Sequence, residues 1–194
     1  PEELTYQKAG VTVYNNEKTT RPVGEAFNTA ARAGAASAIT LTDRTVIQER
    51  VDAVKLAKSM QSYPGTLERK LEQISEELQA MVAKDNLDAL VLVVQTYDPP
   101  NGINGVRVLL RAGMGSITKV EVMPHVAVIA LDKNLNHLGL SEVKNSYVAS
   151  RANDVPWTYT LAENLDSGTL DKINKMMQNA LESGVDEAVG SVNF

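Results

Sequence analysis

A chain of 194 residues with 43% hydrophobic and 22% charged side chains has the length of one domain and a globular composition, which excludes wholesale disorder. A formal net charge of -5, with no Lys/Arg-rich run, speaks against a nucleic-acid binder that works through bulk electrostatics. Cysteine is absent, which removes disulfides, thiolate metal sites, iron–sulfur clusters and cysteine nucleophiles together, and no run reaches the ~20 apolar residues of a spanning helix.

The chain opens Pro1-Glu2-Glu3, without the basic-then-apolar start of a signal peptide. A removed leader or a trimmed end is the expectation, with a periplasmic or secreted location favoured over a cytoplasmic one. Gly10 to Tyr14 has strand composition and runs into polar Asn15-Asn16-Glu17-Lys18. Pro22 suits a helix's first turn and Glu25 its positive end, so a helix over Phe27 to Ala38 is expected. Ala30, Gly34 and Ala38 fall on one face of it, where small side chains let another backbone come close. Ala38 to Thr42 reads as a short strand, and Thr42 or Asp43 as the cap of a helix carrying Ile47, Val51, Val54 and Ala57. Tyr63-Pro64-Gly65 ends that helix.

Thr66 caps the next helix, 66–84, whose Leu67, Leu71, Ile74, Leu78 and Met81 trace one apolar stripe. It leads into Asp88-Ala89-Leu90-Val91-Leu92-Val93-Val94-Gln95, the most apolar run of the chain. A β-branched run without apolar/polar alternation has both faces covered, so 88–95 is expected to be the central strand of a layered sheet. Tyr97-Asp98-Pro99-Pro100-Asn101-Gly102 is a turn. Strand composition follows in Gly105 to Arg111, in Ile117 to Val122 and, beyond Pro124, in His125 to Leu131. Gly113-Met114-Gly115-Ser116 between the first two reads as a bulge or tight turn. It lacks the third glycine and the following helix of a dinucleotide fingerprint. Asp132 to Asn136 has hairpin chemistry, with His137 to Leu140 returning antiparallel. Asn145 to Thr160 is irregular. A last helix, 167–183, is capped by Asp166 or Ser167, carries Leu170, Ile173, Met177, Ala180 and Leu181 on one face, and stops at Gly184. From Arg151 to Phe194 there are three basic and seven acidic residues, so the acidity concentrates at this end.

Helices alternate with strands early, and strands dominate later. The expected fold is therefore α/β (or α+β), one globular domain over 1–194 with a layered mixed sheet, packed by helices including 66–84 and 167–183. In such folds ligands bind beyond the carboxyl ends of the strands. Gln95, Tyr97 and Asp98 sit there, and Arg107 or Arg111 would add a fork for a carboxylate or phosphate if that strand pairs alongside. Trp157 and Tyr159 either plug a sheet end or anchor a partner. His125 and His137 flank the hairpin, but two histidines make half a zinc site and no His-Glu-x-x-His helix completes it. No metal and no cofactor is expected. No Gly-x-Ser-x-Gly elbow marks a serine nucleophile.

The layout is broadly similar to small α/β domains of bacterial envelope and secretion proteins. With no catalytic motif and a well-patterned core, the first expectation is a non-enzymatic binding or assembly protein with a protein partner or a second copy of itself. The alternative is an enzyme or small-ligand binder using the carboxyl end of strand 88–95.

Overall fold

The computed structural model describes residues 3–9, 17–22, 25–42, 44–47, 71–98, 103–113, 116–143, 147–149 and 166–192. In chain order the elements are β1 (Glu3–Ala9), β2 (Glu17–Pro22), α1 (Glu25–Thr40), α2 (Ser75–Asp85), β3 (Ala89–Gln95), β4 (Tyr97–Asp98), β5 (Ile103–Gly113), β6 (Ser116–Asp132), β7 (His137–Glu142), β8 (Tyr147–Ala149) and α3 (Ser167–Gly190). The fold is mixed α/β. The sheet runs in the order β2–β1–β5–β6–β3, with β4 on β5 and with β7 and β8 on β6. Among the described pairings β1 with β5 is parallel and the rest are antiparallel.

β6, 17 residues long, is the spine of the hydrogen bonding. Its first half lies between β5 and β8, its second half between β3 and β7. Pro124 lies inside this strand rather than ending it. Val126 accepts from Val143 N–H on the β7 side, and β8 pairs only as far as Val122. With a two-residue period the N–H that Pro124 lacks would point to the side between the described ends of β8 and β7, so no ladder bond among the described residues is lost.

The run 88–95 is covered on both faces, but it is not central within the sheet: among the described residues β3 pairs with β6 alone and stands at the end of the strand order. Leu90, Leu92 and Val94 pack with Ala127, Ile129 and Leu131 of β6 against Ile74 and Leu78 of the α2 layer. Val91 and Val93 point the other way, joining Val106, Val108, Val126, Val128 and Ala130 beneath α1 and α3. The register explains the sorting, because Leu92 pairs with Ile129 and Val93 with Val128, so partners share a face. Both faces of β3 are covered, as an apolar run without alternation requires.

Helix 66–84 is described from Leu71 onward, as a turn and then α2, with Leu71, Ile74, Leu78 and Met81 on its inner side. α2 ends on Asn86, whose φ of 49° is the left-handed cap conformation asparagine tolerates. α3 runs past Gly184 to Gly190, because Val185, Ala188 and Val189 prolong its buried stripe. Ala38 to Thr42 is not a strand. α1 continues to Thr40, with Ala38 buried and the Thr40 hydroxyl bonded to Ala36 O at 2.7 Å, so packing overrides β-branched composition. Pro22 closes β2 instead of opening α1. Within the stretch 145–160, Tyr147–Ala149 forms β8. Gly10 to Tyr14 and Val51 to Ala57 lie outside the described residues.

Candidate functional site

The carboxyl end of β3 does not gather the expected side chains. Gln95 is half-buried and pairs with Val126, and Thr96 N–H donates to His125 O at 2.8 Å. The chain then leaves as a short arm in which Tyr97 pairs with Asn104 and Asp98 with Ile103, and β5 rejoins β6 where Gly105 meets His125. Arg107, flanked by Thr5 and Met123, is only 7% exposed, and its Nη2 lies 2.7 Å from Met123 Sδ. Val106 and Val108 face α1 and α3, as do Val126 and its partner Gln95, so Arg107 occupies the opposite face. Arg111 pairs with Lys119, seven residues along β6 from Val126, about 24 Å at the rise of a strand. Gln95 and Arg107 thus do not converge. Trp157 and Tyr159 lie outside the described residues.

The two histidines are also apart. His125 pairs with Gly105 and His137 with Leu131, six positions further along β6, roughly 20 Å. The hairpin is real, but His125 is at its far end. Gly113 pairs with Ser116 where β5 meets β6, and Met114 and Gly115 lie outside the described residues. Among the described residues no group of three or more His, Asp or Glu is placed to hold a metal ion.

A different surface is built where α2 meets the β6–β7 turn. Asp132 organises that turn, accepting at 2.8 Å from Asn134 N–H, Asn136 N–H and Asn136 Nδ2. These bonds hold Leu135 at a φ of 64°, a conformation unusual for a leucine, which lets its side chain pack against the α2 core. Between the turn and the helix lies an open groove of about 350 Å³. Leu71, Glu72, Ser75 and Gln79 line it from the helix side, and Leu131, Leu135 and His137 from the sheet and turn.

β7 begins at the groove with His137. Gly139 faces the end of α3, where a Cβ would meet Val192 Cγ1 at 2.6 Å, and Ser141 Oγ lies 2.9 Å from Ser191 Oγ. Leu140, paired with Ile129, belongs to the α2 side of the sheet, yet it is 52% exposed and Leu138 is 41% exposed. Among the described residues the cluster under α2 is built from β3 and β6 and includes neither Leu138 nor Leu140. Among the described residues β7 pairs with β6 alone, so its other edge is open. Composition could not reveal this surface, since it depends on which strand lies at the border of the α2 layer.

The Asp132 carboxyl is held below the usual carboxylate range, chiefly by the hydrogen bond from the Asn136 side chain. A depressed pKa stabilises the fold fully above the unfolded value of about 3.9 and loses that contribution as pH falls through the lower folded value. The urea midpoints of the wild type and Asp132→Ala are therefore expected to differ at neutral pH and to converge as pH falls below the usual carboxylate range. A gap that persists in acid would show that the side chain acts by shape and not by charge.

Comparison with protein families, with curated proteins and with solved structures finds no match to this chain.

Proposed function

We propose that this is a non-enzymatic binding or assembly domain that recognises a protein partner through β7 and the adjoining groove. The carrying observation is the pair Leu138 and Leu140, exposed on a strand whose outer edge is open among the described residues, beside a core that is otherwise closed on that face. Natural sheets protect such edges with lysine, proline, bulges or a covering element. Between Leu138 and Ser141 this edge carries no charge and no proline, and its one irregularity is the register shift that skips Leu138 between Gly139 and His137. An exposed apolar edge left in that state is what a partner-binding strand requires. A small-ligand site at the carboxyl end of β3 has less support, since Gln95 and Arg107 lie on opposite faces of the sheet.

The test is a pair of baits, the wild type and Leu138→Lys/Leu140→Lys, in native extract. The expected result is a protein held by the first and lost by the second, which after identification and purification binds the wild type directly. A wild type that is monomeric by light scattering and retains nothing beyond the double variant would overturn this function.

A further inference from the structure

Resting on that reading, we propose that the partner adds a strand to β7: an extended segment of another protein, apolar at alternate positions and carrying a basic residue at each end. Three features of the edge support it. Val143 N–H donates to Val126 O, so the strand period turns the N–H and C=O of Leu140 and Glu142 away from β6 and toward an added strand. Leu140, paired with Ile129, lies on the α2 side of the sheet, where an alternating segment would lay its apolar residues, and Leu138 beside it is exposed.

The third feature is charge. Glu72 lines the groove together with His137, the first residue of β7, and Glu142 is the last residue of that strand; both are exposed, and neither has an ion-pair partner among the described residues. The six residues of β7 span ~20 Å, so two carboxylates bracket a strip as long as one short strand. Lys or Arg at both ends of the incoming segment complements that pattern. A second copy of this chain is the poorer occupant, since each copy carries a net charge of -5 and would bring Glu142 rather than a cation to the edge.

Random decapeptides displayed on phage are selected on the wild type and counter-selected on Leu140→Pro. Proline at 140 removes an outward-pointing donor and leaves the bonds to β6 intact. The expected survivors alternate β-branched or apolar residues between Lys or Arg. A synthetic survivor is expected to bind Leu140→Pro about tenfold more weakly by fluorescence anisotropy. Glu72→Gln and Glu142→Gln are surface changes that leave the fold intact. Each is expected to weaken binding about threefold and to flatten its salt dependence.

Survivors that are acidic, that show helical spacing, or that bind Leu140→Pro equally well would overturn strand addition. So would a dimer of the wild type that Leu140→Pro dissolves. The two readings fail separately. A partner from extract that is lost with Leu138→Lys/Leu140→Lys but kept by Leu140→Pro leaves the partner-binding function standing and removes strand addition.

Discussion

Leu78→Ala is expected to cost about 3 kcal/mol and to release α2 from the sheet before the rest of the protein unfolds. Leu78 is completely buried between Ile74 and the row Leu90, Leu92 and Val94, with Ile129 and Leu131 beyond. Removing a buried leucine takes away its transfer free energy and leaves a cavity that a helix anchored to a flat sheet closes only in part. Alanine's better helix propensity returns a few tenths of a kcal/mol, too little to change the sign. The consequence is local because α2 is attached differently from the other helices. Within α2 itself Leu78 is the one buried residue, helped by partly buried Met81 and Val82, whereas α3 buries Ile173, Met177, Leu181, Val185, Ala188 and Val189. Hydrogen exchange of Leu78→Ala should therefore show α2 amides losing protection while β6 and α3 keep theirs. Thermal unfolding should fall by about 6–12 °C. Equal loss of protection in α2 and α3 would mean that the two apolar layers unfold as one unit.

How much of this was readable in the residues follows from the range of the interactions involved. The run Leu90 to Val94 announces a strand covered on both faces because its own composition, without alternation, records both environments. The stripe Leu71, Ile74, Leu78 and Met81 announces α2 for the same local reason, and Asp132 to Asn136 announces a turn that its own hydrogen bonds build. The failures involve partners far away in the chain. Pro124 looks like a strand end, yet β6 runs on through it from Ser116 to Asp132. Gly184 looks like a stop until α1 is packed across α3. The exposed Leu140 is chemically the same as a buried strand leucine, and its exposure is set by what packs on β7, not by its neighbours in the chain. Arg107 and Gln95 were grouped by chain position, whereas strand alternation and the path along β6 place them on opposite faces. The groove joins Glu72 to His137, residues that nothing in the local pattern connects.

Gly34→Ala is expected to destabilise the protein by about 2 kcal/mol, although glycine to alanine inside a helix ordinarily stabilises by about 1 kcal/mol. Gly34 lies in the middle of α1 where that helix presses on α3. A Cβ built there collides with the carbonyl oxygen of Glu182 and comes within 3.0 Å of its carbon and 3.2 Å of Asp186 N. The obstacle is backbone inside a 24-residue helix, so no side chain can rotate aside. Relief requires α1 and α3 to separate, which loosens Ala30, Ala31, Ala35 and Ala38 from Met177, Leu181 and Val185. Those small residues were chosen by the close approach, and a wider spacing leaves voids they cannot fill. Overpacking of this kind costs 1–3 kcal/mol or more and outweighs the propensity gain, so Tm should drop by about 4–8 °C. Gly190→Ala is the internal control. Position 190 ends the same helix with nothing within 4 Å of its built Cβ, and there the substitution is expected to stabilise by about 0.5 kcal/mol. Opposite signs for one chemical change at two glycines would show that the separation of α1 and α3 is set by contact at Gly34. A neutral or stabilising Gly34→Ala would show that the helices already stand further apart in solution.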